Sequence, residues 1–255
     1  MKAAGRPPRL DQWLSALGYC SRREVAYWLR DERITVDGEA ATNPAARVDH
    51  ASVRVDGEPL DHPNGLTVLM HKPAGYVCSH SKTEGASVFD LLPSRWLARH
   101  PAPQTVGRLD RDTTGTLLIT DDGTLLHRLT SPRRACEKVY LAEIDREIPE
   151  EIIAAFASAT LLLEGEQKPC LPARLEILEG KRARVTLCEG RYHQVKRMFA
   201  YFGLGVVKLH RTSFGGLSAD DLAPGAWRDI DASLFSEDAR VNPTRDSGCF
   251  GTKLD

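Results

Sequence analysis

The residues best suited to chemistry lie in one short polar stretch, residues 106–115, which runs Val-Gly-Arg-Leu-Asp-Arg-Asp-Thr-Thr-Gly. Asp110 stands between Arg108 and Arg111, and glycines on both sides permit tight turns and close approach of a ligand. Nearby positive charge favours an ionised carboxylate, which suits a nucleophile or a general base. The same residue types are also common in surface turns, so this stretch alone leaves both interpretations open.

Two later segments carry further reactive or basic side chains. Residues 136–141, Cys-Glu-Lys-Val-Tyr-Leu, place Tyr140 on an alternating strand-like run, where it could equally be a core residue. Residues 189–198, Glu-Gly-Arg-Tyr-His-Gln-Val-Lys-Arg-Met, form a basic turn that leads into a helix. Each segment alone is a weak signal, whereas the three in this order and at these intervals indicate a single site.

The elements that must position these residues begin with a small unit over residues 9–60. Apolar residues at helical spacing predict a first helix closed by Gly18, and Ser21 with Glu24 forms a capping box for a second, arginine-bearing helix. Two Val-Asp-Gly turns then predict a β-ribbon. This pattern resembles the RNA-binding module named after ribosomal small-subunit protein four. A DNA-binding helix-turn-helix and a solvated basic helix are the alternatives.

The remainder predicts a larger α+β domain over residues 67–235, after a turn-rich linker at 61–66. Two strands flank a break at Pro73-Ala-Gly75, a strand follows the polar stretch, and a short helix ends near Pro132. A strand at 138–144, a helix after Pro149, a hairpin at 173–187, a helix at 192–202 and a final strand at 206–214 complete it. The polar residues 236–255 are predicted to be disordered.

Composition limits the class of protein. Hydrophobic and charged residues make up 42% and 27% of the chain, which is typical of a globular protein, and no apolar run is long enough to span a bilayer. The basic N-terminus lacks the apolar core of a secretory signal, and the six scattered cysteines resemble neither a zinc site nor a disulfide framework. We therefore expect a cytoplasmic protein without a membrane partner.

Charge is unevenly distributed although the net charge is only −1. Residues 181–211 carry eight Lys and Arg against one Glu, and residues 1–36 carry seven against four acids. Residues 219–255 are acidic, with eight Asp and Glu against four basic residues. Because local basic clusters determine phosphate contact, this distribution favours a nucleic-acid partner.

Together, the motifs resemble bacterial pseudouridine synthases of the branch that modifies small-subunit (16S) ribosomal RNA, the RsuA family. The resemblance covers roughly residues 9–232 and includes the segment 71–79, His-Lys-Pro-Ala-Gly-Tyr-Val-Cys-Ser. It implies that Asp110 is the essential carboxylate, that Tyr140 packs on the target base, and that Arg191 pairs with the aspartate. It also implies that no metal or organic cofactor is needed.

Further residues are expected to line the RNA. A flipped uridine must reach the pocket, so basic and polar side chains near it should hold phosphates, which gives salt-sensitive affinity without sequence identity. His193 is assigned to this RNA lining rather than to acid–base chemistry. Asp112 is expected to order its loop, and Asp121 and Asp122 to serve as turn and cap residues. The expected RNA-binding set is Arg9, Arg22, Arg23, Arg30, Lys72, Arg108, Arg111, Thr113, Thr114, His193, Gln194, Lys196 and Arg197.

The sequence thus predicts a monomeric isomerase with an N-terminal RNA-binding module and a catalytic domain built on a mixed, mostly antiparallel sheet. Its expected substrate is one uridine of 16S ribosomal RNA, met either as naked RNA or in a ribonucleoprotein assembly intermediate. A uridine of 23S ribosomal RNA or of tRNA is the close alternative, because sister enzymes share the motifs. A non-catalytic RNA-binding assembly factor is the alternative from another class.

Overall fold

The computed structural model describes residues 6–63, 65–131 and 136–235. The chain forms two compact units. The first takes in the described residues up to 66 together with 92–104 and 120–123, and the second takes in 67–91, 105–119 and 124 onwards. The chain passes from one unit to the other at 66/67, near the linker predicted at 61–66, and four further crossings, at 91/92, 104/105, 119/120 and 123/124, have no counterpart in the sequence patterns. The tail at 236–255 lies outside the described residues.

The first unit has two short helices and a four-stranded sheet. Its core is fully apolar, with Leu10, Leu14, Val25, Ile34 and Val53 completely buried. The helices are α1 (Leu10–Ala16) and α2 (Val25–Arg30), and the strands are β1 (Ile34–Val36), β2 (Glu39–Ala40), β3 (Val53–Val55) and β4 (Glu58–Pro59), in the order β2-β1-β3-β4. This confirms the predicted arrangement of two helices followed by a β-ribbon.

Reciprocal hydrogen bonds close the turn that leads into the second helix, which itself begins at Val25 after Glu24. The Ser21 backbone N–H donates to Glu24 Oε2 at 2.7 Å, and the Glu24 N–H donates to Ser21 Oγ at 3.4 Å. These reciprocal bonds are the predicted capping box, which satisfies N–H groups that a helix start leaves unpaired.

A buried ion pair stabilises the first unit. Arg99 Nε donates to Asp121 Oδ2 at 2.7 Å, and only 3% and 6% of these side chains are exposed. Arg99 Nη2 also donates to the carbonyl oxygen of His62. Asp121 lies in a bend, as predicted, but its side chain pairs with a residue 22 positions earlier in the chain, and no local pattern links the two.

The second unit is built on an eight-stranded mixed sheet. Neighbouring strands run antiparallel in four of the pairs, β12/β5, β11/β8, β10/β8 and β10/β9, and parallel in β11/β7. The strands are β5 (Thr67–Lys72), β6 (Gln104–Thr105), β7 (Thr114–Thr120), β8 (Lys138–Ile144), β9 (Arg174–Ile177), β10 (Arg182–Leu187), β11 (Val206–Phe214) and β12 (Trp227–Asp229). Their order is β12-β5-β7-β11-β8-β10-β9, with β6 paired to β7. The mixed, mostly antiparallel sheet is confirmed.

Three helices accompany this sheet, α3 (Gly123–Thr130), α4 (Ile152–Ala157) and α5 (Gln194–Ala200). Leu125 and Leu129 of α3 join a core cluster with Leu69, Leu118 and Phe214. Helix α4 packs against β9, and α5 against β11. None of the helices in the described part of the chain is long and apolar enough to cross a membrane.

Three predicted elements differ from the observed ones. The strand expected after Gly75 is reduced to a single bridge between Val77 and Ser87, since polar residues follow it without alternation. The helix predicted at 192–202 begins only at Gln194, because His193 has left-handed backbone angles. β11 is not the last strand, because the short, polar β12 pairs with β5.

Candidate active site

The three sequence segments meet around one cavity of about 450 Å³ in the second unit. Its size is within the range of small-molecule sites. Asp110 comes from the loop between β6 and β7, Tyr140 from β8, and residues 187–195 from the turn between β10 and α5. The fold therefore brings together residues that are up to 85 positions apart in the chain, as the order of the motifs predicted.

Asp110 is a partly buried carboxylate with two nitrogen neighbours. Lys196 Nζ lies 3.2 Å from its Oδ2, and His193 Nε2 lies 3.2 Å from its Oδ1. About a quarter of the Asp110 side chain is exposed, so it is open to a ligand in the cavity. A cation at this distance favours the ionised carboxylate, the form that both a nucleophile and a base require.

Lys196 binds two carboxylates at once. Its Nζ donates to Asp112 Oδ1 and Oδ2 at 2.7 and 2.9 Å, in addition to its contact with Asp110. The Lys196 ammonium lowers the pKa of Asp112 below its ordinary value. Although burial lowers the pKa of Lys196, the two carboxylates outweigh it and raise that pKa. Asp112, expected to order its own loop, instead ties that loop to helix α5.

The expected pair between Arg191 and Asp110 is wrong for this structure. Arg191 Nε donates to Glu189 at 3.1 Å, its Nη1 donates to the Lys168 carbonyl oxygen at 2.6 Å, and its Nη2 donates to the Pro169 carbonyl oxygen. The left-handed turn at His193 lies between Arg191 and Lys196, so Lys196, one helical turn further on, faces the aspartate. Lys196 therefore takes the place that the sequence assigned to Arg191.

Lys72 fixes the loop that carries Asp110. Its side chain is completely buried, and its Nζ donates to the carbonyl oxygens of Pro73, Arg111 and Thr113 at 3.0, 3.3 and 2.8 Å. The Gly75 N–H also donates to the Arg111 carbonyl oxygen. The prediction that Lys72 contacts RNA is wrong, because three backbone acceptors hold its ammonium inside the protein.

The buried ammonium of Lys72 leads to a prediction about pH. Burial lowers the pKa of Lys72 to about 8, whereas an unfolded lysine keeps its proton to about pH 10. In the window between these values the unfolded chain binds more protons, so the contribution of Lys72 to stability becomes more favourable as the pH rises. Between about pH 7 and pH 9.5, the free energy of unfolding of the wild type should gain about 2 kcal/mol relative to Lys72→Met. Urea titrations of both proteins measure this difference, and parallel pH dependences would contradict it.

The other expected RNA-binding residues divide by exposure. Arg108 and Arg111 are exposed beside the cavity, with Arg111 donating to the Glu84 carbonyl oxygen. Thr113 and Gln194 are buried and line the cavity, so their contact with RNA stays a prediction; Gln194 bonds to Glu189 and to the Arg191 N–H. The remaining expected side chains have the following placements: Thr114 bonds to His210, Arg197 pairs with Glu166, Arg9 pairs with Asp11, and Arg22, Arg23 and Arg30 are exposed on the first unit.

Side chains of β8 and β11 that pair across the sheet line the cavity. Tyr140 is 8% exposed and lies opposite Arg211, whose Nε donates to the Thr116 carbonyl oxygen. Gly115 makes this arrangement possible, because a Cβ there would lie 2.2 Å from the Arg211 carbonyl oxygen and its φ is +104°. Among the described residues, Arg211 Nη2 has no hydrogen-bond partner. Sequence reasoning missed Arg211, since an arginine within an alternating strand gives no sign that it is buried.

Comparison with known proteins shows to which family this chain belongs. A model described as RNA pseudouridylate synthase matches residues 66–201, and an S4 domain model matches residues 8–53. The chain belongs to the RNA pseudouridylate synthase family. It is 42% identical to proteins named ribosomal small subunit pseudouridine synthase A from Yersinia pestis and from Escherichia coli strain K12, over 87% of this chain and 94% and 96% of theirs. A crystal structure of a pseudouridylate synthase superposes with a TM-score of 0.62 at 35% identity, covering 89% of this chain and 97% of that one.

This pseudouridine synthase offers its substrate polar groups from protein side chains. Within residues 6–63, 65–131 and 136–235, no group of three or more His, Cys, Asp or Glu residues is arranged to bind a metal ion. The cations at the cavity belong instead to lysines and arginines. Lys138 of β8 is one of them; burial lowers its pKa, and its Nζ donates to the Cys136 carbonyl oxygen.

Proposed function

We propose that this enzyme isomerises a specific uridine of 16S ribosomal RNA to pseudouridine, with Asp110 as its catalytic carboxylate. The contact of Lys196 with Asp110, whose carboxylate lines the cavity, carries the proposal that Asp110 is catalytic. The target is supported by the near full-length similarity to proteins named for the small ribosomal subunit. The S4 domain, with Arg22, Arg23 and Arg30 exposed, adds a basic surface for RNA.

The reaction breaks the bond between N1 of uracil and C1′ of ribose, turns the base, joins C5 to C1′, and exchanges the C5–H bond for an N1–H bond. An ionised Asp110 can attack the sugar or the ring, or remove a sugar proton to give a glycal. All three routes use the same carboxylate, and the Lys196 ammonium lies 3.2 Å from it. We propose that the ring of Tyr140 holds the detached uracil in the cavity while it turns.

The uridine reaches Asp110 by leaving its helical stack. We propose that the exposed Arg108 and Arg111 hold phosphates near the flipped nucleotide. Arg191, bound to Glu189 and to the backbone at 168–169, acts through the turn that positions His193 and Lys196. We also propose that the enzyme acts as a monomer. We further propose that the enzyme acts in the bacterial cytoplasm, where its proposed ribosomal substrate is found.

Mapping pseudouridine in ribosomal RNA tests the proposal. Cells that lack the gene are complemented with wild type, with Asp110→Asn, or with the control Asp221→Asn, whose carboxylate is 63% exposed and pairs with Arg228. One pseudouridine of 16S ribosomal RNA should be present with wild type and with the control, and absent with Asp110→Asn. Identical 16S maps for wild type and Asp110→Asn would refute the assignment. Loss of a site in 23S ribosomal RNA or tRNA instead would refute the target.

A further inference from the structure

An exposed aromatic pair stands at the rim of the cavity. Tyr192 lines the cavity although 68% of it is exposed, and its ring is stacked on that of His193. The two ring centroids are 3.8 Å apart and the planes differ by 20°. Single exposed aromatics are ordinary on protein surfaces, so the location of this stack and the backbone that holds it are the informative features.

The backbone at His193 is what brings the rings together. Consecutive side chains point to opposite faces of a strand and diverge on a helix, so neighbouring residues do not stack in regular structure. His193 has φ 48° and ψ 33°, the left-handed region that residues other than glycine seldom adopt. Such conformations persist where the surrounding structure enforces them, often at functional sites.

Gln194 and Glu189 enforce the turn. The Arg191 N–H donates to Gln194 Oε1 at 2.9 Å, and Gln194 Nε2 donates to Glu189 Oε1 at 2.6 Å. The Arg197 N–H donates to the His193 carbonyl oxygen at 2.9 Å. The backbone that carries the two stacked rings is therefore fixed by hydrogen bonds within the protein.

The stack leads from the reactive carboxylate to the solvent. His193 Nε2 lies 3.2 Å from Asp110, and Tyr192 covers the other side of the histidine ring. When a uridine is flipped toward Asp110, the base next to it loses a stacking neighbour. We propose that Tyr192 replaces that neighbour by stacking on the nucleobase adjacent to the flipped uridine, a role that rests on the proposed function.

The charges around the rim favour a nucleic-acid strand as the occupant. Arg108 and Arg111 are exposed beside the cavity, and Arg197 Nη1 donates to the Tyr192 carbonyl oxygen at 3.1 Å. An aromatic face beside cationic groups is the combination with which proteins bind single-stranded nucleic acid, since each base offers a flat surface and each linkage a negative charge.

A double-mutant cycle between protein and RNA tests the stack. The probe is a hairpin of 16S ribosomal RNA that contains the target uridine, prepared intact or with an abasic nucleotide immediately 5′ or 3′ of it. Tyr192→Ala should raise the Kd for the intact hairpin about tenfold. At one of the two positions, the abasic nucleotide should raise the wild-type Kd by the same factor of about ten. For Tyr192→Ala, the Kd for that abasic hairpin should equal its Kd for the intact hairpin. Tyr192→Phe should bind like wild type, because the ring face makes the contact.

Tyr201→Ala is the matched control. Tyr201 is 61% exposed, packs edge-on against Phe202 and does not line the cavity, so its loss should leave the Kd unchanged. The stacking role would be overturned if the effects of Tyr192→Ala and of the abasic nucleotide on binding free energy were additive at both positions. It would also be overturned if Tyr201→Ala raised the Kd as much as Tyr192→Ala. The mapping in cells separates the two proposals: a 16S pseudouridine that is lost in Asp110→Asn, without coupling at Tyr192, refutes the stack alone, and an unchanged 16S map refutes both.

Discussion

Replacing Lys196 with methionine should lower the rate constant for pseudouridine formation about a hundredfold while the protein remains folded. Lys196 is the lysine or arginine that contacts Asp110, at 3.2 Å, and it also holds Asp112 on the same loop. Methionine keeps most of the side-chain length and removes the charge that stabilises the ionised carboxylate. Single-turnover measurements at saturating enzyme isolate this step from RNA binding.

Two further variants make this prediction specific. Lys208→Met removes a lysine of the same sheet that is 76% exposed and pairs with Glu143, so its single-turnover rate should match the wild type. Arg191→Met should reduce the rate less than Lys196→Met, since Arg191 contacts Glu189 and the backbone at 168–169 instead of Asp110. A larger loss in Arg191→Met than in Lys196→Met, with both proteins folded, would restore the pairing that the sequence predicted.

Replacing Asp121 with alanine should lower the free energy of unfolding by about 3–5 kcal/mol, the usual cost of leaving a buried charge without its partner. Arg99 is 97% buried, and without Asp121 its guanidinium retains only the His62 carbonyl oxygen among the hydrogen bonds described above. Urea unfolding followed by circular dichroism measures the loss. A change below about 1 kcal/mol would contradict the role assigned to the pair.

An exposed pair and a double variant serve as controls. Asp56 accepts two hydrogen bonds from Arg33 but is about half exposed, so Asp56→Ala should leave the free energy of unfolding nearly unchanged. Removing both buried charges, in Arg99→Met with Asp121→Leu, should recover most of the stability, because no unpaired charge remains. If the double variant is as unstable as Asp121→Ala, packing and not charge explains the loss.

Local patterns predicted most of the fold. Apolar residues at helical spacing predicted α1, and the patterns at 138–144 and 206–214 predicted β8 and β11. An element that buries one face carries apolar residues at the period of that face, and this period can be read from the sequence. Polar β12 escaped prediction for the same reason, since it lacks that alternation. The discontinuous first unit was also missed, because contacts such as Arg99 with Asp121 depend on the assembled fold.

The candidate site was predicted in its location but not in its contacts. Motif order brought Asp110, Tyr140 and the turn before α5 together, as the cavity shows. Lys196, not Arg191, contacts Asp110 because the backbone at His193 is left-handed. No feature of the sequence indicates that His193 adopts this conformation. Lys72 was assigned to the surface because it precedes proline, whereas burial among three carbonyl oxygens is decided by tertiary packing.

The bonds of Lys72 also bear on which molecule must rearrange during the reaction. Three carbonyl oxygens and the Gly75 N–H fix the loop around Asp110 before RNA binds. A site assembled in advance has little reorganisation of its own to complete. The structural change that precedes chemistry therefore falls mainly on the RNA, and the stability of the helix around the uridine becomes part of how the enzyme selects its target.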